Sequence, residues 1–181
     1  MVILSRNASE NMNLFEGMAF SQQYVDALDL ISCDPHKKRT YWDSTIKRHL
    51  PDFFLDNFTD FSDSTCYTYF IGCDGLKYTV GSQELIDYLN AGNDAYYVKL
   101  QISLRAPILY AIYCKYEKSP TAFQTSEEPF TESQQRVYSA ILQFANENNL
   151  RIEKYSDLCT MVVNVSPNEH TAYNYLFEPE I

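Results

Sequence analysis

The chain has 181 residues, with 24 acidic and 14 basic side chains and a net charge of -10. A compact chain of this length buries roughly 70% of the surface its unfolded form exposes, so it can hold a core without staples. The charge repels nucleic acid at long range and favours basic surfaces, and an aromatic content of 15% argues against a disordered chain.

Residues 1–19 have no clear period and read as a mobile start or a short edge element. Ser21 to Ile31 reads as a helix, with Tyr24, Leu28 and Ile31 on one face and Ser21 as a cap. Asp34-Pro35 marks a turn. Lys38 to Leu50 forms a second helix with Tyr41, Ile46 and Leu50 as its apolar positions. Lys37, Lys38, Arg39, Lys47 and Arg48 sit on or beside its polar side, and Pro51 ends it.

Residues 52–63 are the most unusual stretch. Asp52, Asp56 and Asp60 recur every four residues, and Phe54, Phe58 and Phe61 recur at helical spacing on another side. As a helix, this segment carries a carboxylate stripe beside a phenylalanine stripe, with no Lys or Arg to neutralise it. Next comes a predicted hairpin, Cys66 to Gly72 and Leu76 to Val80, with Asp74-Gly75 as the positive-φ turn. Gly81-Ser82 opens a short helix to about Asn90.

The alternation of Val98, Leu100, Ile102 and Leu104 with Lys99, Gln101, Ser103 and Arg105 predicts a strand over Tyr96 to Arg105, one face buried and one wet. Ile108 to Tyr116 is apolar almost throughout and reads as a central strand covered on both faces. Residues 118–131 read as a loop carrying Glu127 and Glu128. Thr131-x-x-Gln134 is a capping-box pattern, opening a long helix that buries Val137, Ile141, Phe144 and Ala145. Two strands, Met161 to Val165 and Thr171 to Phe177, are expected to close the chain. This order predicts a single α+β domain over 1–181, with a mainly antiparallel or mixed sheet of about five to six strands and helices packed on it.

Catalytic and cofactor templates find no match. The five glycines make no phosphate-binding loop before a helix. His36, His49 and His170 form no H-x-x-x-H pair and have no cysteine at zinc spacing, so no metal and no cofactor are expected. Cys33-Asp34-Pro35-His36 reads as a capped turn rather than a ligand pair. The five cysteines (Cys33, Cys66, Cys73, Cys114 and Cys159) are odd in number and make no C-x-x-C pair, which fits free thiols in a reducing compartment. A cysteine and a histidine distant in sequence could still meet as a nucleophile and base. The opening Met1-Val2-Ile3-Leu4-Ser5-Arg6 is unlike a secretory leader, and the run Ile108 to Cys114 is too short to span a bilayer. A cytoplasmic protein with no membrane and no nucleic-acid partner is expected.

What remains is a binding surface. Aromatics surrounded by carboxylates steer basic partners and raise association rates. The candidate partner-binding residues are Asp52, Asp56, Asp60, Asp63 and Phe58, with Glu127 and Glu128 adding to the field. A core helix with a wet acidic face would give the 52–63 stretch much the same pattern.

The last quarter of the chain carries a family likeness. A helix containing Val137-Tyr138-Ser139-Ala140-Ile141 leads into short strands and the finish Thr171-Ala172-Tyr173-Asn174-Tyr175-Leu176-Phe177. With its size and acidity, the chain resembles the small immunity proteins of bacterial toxin systems, including those of contact-dependent growth inhibition. The class spans many unrelated folds, so it implies no residue correspondences. It implies a tight complex with a cognate toxin, commonly a nuclease whose basic active site an acidic face would block. An acidic DNA mimic acting against defence systems and a cysteine-dependent hydrolase are the competing expectations.

Overall fold

The structure is a computed structural model that describes residues 3–6, 35–62, 64–165 and 168–177. The helix expected over Ser21 to Ile31, the thiol of Cys33 and the candidate Asp63 lie outside the described residues. The protein is α+β, as the element order predicts. A six-stranded mixed sheet is built from β2 (Phe54–Asn57), β3 (Cys66–Gly72), β4 (Asp94–Ser103), β5 (Ile108–Glu117), β6 (Phe123–Ser126) and β7 (Arg151–Ile152). The first five follow one another antiparallel across the sheet, and β7 runs parallel to β5 beyond the end of β6. A second sheet has the order β1 (Ile3–Arg6), β8 (Met161–Val165) and β9 (Asn168–Thr171). No described helix is long and apolar enough to cross a membrane.

One face of the large sheet is sealed by α1 (Pro35–His49) and α3 (Glu132–Glu147). Trp42, Ile46 and Leu50 of and after α1, and Val137, Ile141 and Phe144 of α3, pack on Tyr67, Tyr69, Ile71, Val98, Leu100 and Ile102. Trp42 is fully buried, with edge-on contacts to Phe144 at 5.7 Å and Tyr67 at 6.3 Å. Tyr41, expected in this core, stays 38% exposed, because the helix turns Trp42 inward instead. The capping box is present at Thr131. Gln134 completes it and also ties α3 to the sheet, its amide nitrogen donating to the carbonyls of Tyr97 at 2.8 Å and Cys114 at 3.0 Å.

The other face is covered in two patches. At one end, α2 (Gln83–Asn90), capped by Ser82, buries Leu85 and Leu89. At the other, Leu158 of α4 (Tyr155–Thr160), together with Tyr173, Leu176 and Phe177 of and after α5 (Ala172–Leu176), packs on Ile108 and Tyr110. Cover on both faces explains why β4 departs from the expected alternation. Gln101 and Ser103 are buried along with Val98, Leu100 and Ile102.

Several expected elements take a different form. Residues 52–63 are not a helix. After Pro51, Phe54 to Asn57 pair with β3, Asp56 facing Phe70 across the ladder. A four-residue recurrence returns to the same side of a strand as well as of a helix, so the aspartate spacing does not discriminate between them. The unpaired edge of β3 decides the outcome, since its backbone groups need partners. The turn at Asp74-Gly75 forms, with φ of 54° and 80°, and the Leu76 amide donates to Cys73. The returning segment 76–80 is no strand, because β2 and β4 already hold both edges of β3. Instead it passes so close that a Cβ on Gly72 would lie 2.4 Å from the Leu76 carbonyl oxygen.

The 118–131 loop contains β6, which folds back on β5 through a turn at Lys118 (φ 53°). The finish Thr171 to Phe177 is mostly helix. The Thr171 side chain accepts from the Asn174 amide at 3.1 Å and starts α5. Met161 to Val165 is a strand, as expected.

Candidate functional site

The described candidate partner-binding residues divide among four places instead of forming one stripe. Asp52 lines a 480 Å³ depression that Lys77 and Arg136 also line, so basic groups share its surroundings. Asp56 is buried, and its carboxylate accepts from the Val80 amide at 2.9 Å. Burial pushes its carboxyl above the usual range, against the opposing effect of that hydrogen bond. It ties the 76–80 segment to β2 rather than meeting solvent.

Phe58 and Asp60 sit together at an open depression of 440 Å³ on the second face, in the gap between the two patches of cover. Thr68 and Phe70 of β3 and Lys99 and Gln101 of β4 form its floor, since these residues pair across the ladder and share one side. Phe58 is 51% exposed and stands edge-on to Phe70 at 5.6 Å. The Ser62 hydroxyl and amide both donate to one oxygen of Asp60, at 2.6 and 2.9 Å, and hold its carboxyl below the usual range. The carboxylate is therefore charged and held in place at the lip.

A buried polar network lies under this floor. The Gln101 amide nitrogen donates to the Thr68 hydroxyl at 3.0 Å and to the Cys66 sulfur at 3.1 Å. Tyr110 donates its hydroxyl to the Gln101 carbonyl oxygen and lies 3.2 Å from the Tyr173 hydroxyl. A satisfied network of this kind fixes side chains that would be costly to bury alone. The sequence reading missed it because alternation placed Gln101 on a wet face. The usable signal was the order of the neighbours: Cys66 and Thr68 place small polar groups on the same side of the adjacent strand.

Glu127 and Glu128 lie at the opposite edge of the sheet. Four strand spacings separate β2 from β6, roughly 19 Å at about 4.8 Å each. There β5 is left uncovered between β6, which ends its pairing at Tyr113, and β7, which pairs with Ile108 and Leu109. A 240 Å³ pocket fills the interruption. Glu127 is committed to the fold: its carboxylate accepts from the Ser156 amide at 2.6 Å and the Ser156 hydroxyl at 3.1 Å, at the start of α4. Glu128 is exposed and makes no side-chain hydrogen bond or ion pair among the described residues.

No family model, curated protein or solved structure matches the chain. The chemistry of the site therefore stands on its own residues.

Three of the described thiols are poorly placed for nucleophilic attack. Cys66, Cys73 and Cys114 are buried free thiols. Burial pushes Cys73 and Cys114 up to about 12, far from the thiolate that attack requires. His49 is held between the Thr45 carbonyl at 2.8 Å and the Glu147 carboxylate at 2.9 Å. Among the described residues no group of three His, Cys, Asp or Glu side chains could hold a metal ion.

Proposed function

We propose that the chain is a cytoplasmic binding protein that neutralises a basic protein partner, as an immunity protein neutralises its cognate toxin domain. The observation that carries this reading is the pairing of Phe58 and Asp60 at the lip of the second-face depression. A phenylalanine that packs edge-on against Phe70 yet stays 51% exposed beside a fixed carboxylate is suited to anchor a partner. The net charge of -10 adds a long-range field that draws a basic partner in.

A DNA mimic would need carboxylates spaced in a continuous phosphate-like array. Here Asp56 faces inward, and Asp60 and Glu128 stand on opposite edges of the sheet. A hydrolase would need an exposed thiolate beside a free imidazole. Among the described side chains, burial raises the thiols of Cys73 and Cys114, and His49 is engaged at both nitrogens.

The test is to search the neighbouring genes for a toxin domain and to titrate the chain against it. The expected result is a stoichiometric complex that abolishes the toxin's activity and associates more slowly as salt rises from about 0.05 to about 0.5 M, because screening shortens the reach of the field. No complex with that domain, or an association rate indifferent to salt, would overturn the proposal.

A further inference from the structure

The edge pocket differs from the Phe58 depression in one respect that points to an occupant. Tyr113 is only 4% exposed, yet it lines the pocket, and no described residue gives its hydroxyl a hydrogen bond. The residue is enclosed while its hydroxyl is left for whatever enters the pocket. Tyr138 stands beside it, with ring centroids 5.7 Å apart and planes tilted by 46°.

Three carboxylates ring these phenols. Two are offset within the fold: Glu127 by Ser156, and Glu153 by the Arg151 guanidinium with which it pairs. Glu128 alone keeps an uncompensated side chain. Lys154 and Gln135 also line the pocket; Lys154 is exposed, as Glu128 is. The pocket therefore offers an occupant the rings of Tyr113 and Tyr138, with Tyr155 behind them, the Tyr113 hydroxyl and the Glu128 carboxylate.

Those groups are complementary to a planar cation. A guanidinium stacks on aromatic faces and presents several N–H donors, whereas an ammonium does so less well. The volume of 240 Å³ falls below the about 300–1,000 Å³ usual for drug-sized ligands, and it suits one side chain. We infer that the pocket between β6 and β7 seats an arginine side chain of the basic protein partner, between Tyr113, Tyr138 and Glu128. The occupant rests on the binding function proposed above; the chemistry of the pocket does not.

The experiment uses the whole chain with ¹³C-labelled tyrosine rings. The rings are assigned through Tyr113→Phe and Tyr138→Phe and titrated with N-acetyl-arginine amide and with N-acetyl-citrulline amide, its uncharged counterpart. The arginine amide should give saturable shifts at Tyr113 and Tyr138, and the citrulline amide should give none. Glu128→Gln, at an exposed side chain with no partner in the fold, should weaken arginine binding about threefold. Equal shifts from both amides, shifts that do not saturate, or unchanged affinity in Glu128→Gln would overturn the inference. The two proposals fail separately. A toxin domain that binds Glu128→Gln as tightly as the native chain removes the arginine from this pocket and leaves the function standing. A pocket that takes the arginine amide in a chain no toxin domain engages removes the proposed occupant.

Discussion

The two faces of the large sheet are built differently. Under α1 and α3 the contacts are apolar and continuous, from Trp42 through Phe144 to Tyr67. On the other face, α2 and the α4–α5 pair leave a gap floored by Thr68, Phe70, Lys99 and Gln101, with Phe58 and Asp60 at its lip. A sheet needs only one well-packed face and partial cover on the other to hold together. The sealed face thus carries stability, and the open face is the one proposed for recognition.

Substitutions at these two faces should separate those roles. Phe144→Ala empties a fully enclosed aromatic site against Trp42 and should cost about 3–5 kcal/mol, read by urea denaturation. The fraction that remains folded should bind its partner as the native chain does. A loss below about 1 kcal/mol would show that the α1–α3 face is not the stabilising one.

Gln101→Leu should cost less, about 1–3 kcal/mol, because it strips partners from the Tyr110 and Thr68 hydroxyls without opening a large cavity. The same denaturation series measures it. A neutral or stabilising result would mean that the network beneath the depression serves something other than the fold.

Asp56 gives a smaller effect with a definite sign. Its folded carboxyl is raised by burial, so the folded state holds the proton more tightly than the unfolded chain. The stability that this proton confers is present below the unfolded value of about 3.9 and is lost as pH rises through the folded value. The native chain should therefore gain stability relative to Asp56→Asn as the pH is lowered from about 7 to about 4. A relative loss over that range would place the Asp56 carboxylate in a favourable charged site and return it to the candidate surface.

The sequence revealed the sealed face more readily than the open one. Val137, Ile141, Phe144 and Ala145 declared the buried side of α3, and Thr131 with Gln134 declared its start, because capping and helical period are local. The acidic segment was harder to read. Its four-residue period suits a strand as well as a helix, and the choice was made by the free edge of β3, a long-range partner. Gln101 looked wet for the same reason: the groups that enclose it, Cys66, Thr68 and Tyr110, come from the neighbouring strands. Phe58, Asp60, Glu127 and Glu128 were legible as surface residues, but not their division between two edges of one sheet. That division depends on strand order, which local spacing does not encode.

The most direct test of the account is the affinity of Phe58→Ala and Asp60→Asn for the proposed toxin partner, measured with the native chain under the same salt. Both positions are exposed, so folding stability should change by less than about 1 kcal/mol. The account predicts that Phe58→Ala weakens binding at least about tenfold and that Asp60→Asn mainly slows association. Binding by both variants within about twofold of the native chain would contradict it, and would move the recognition surface away from the open face of the sheet.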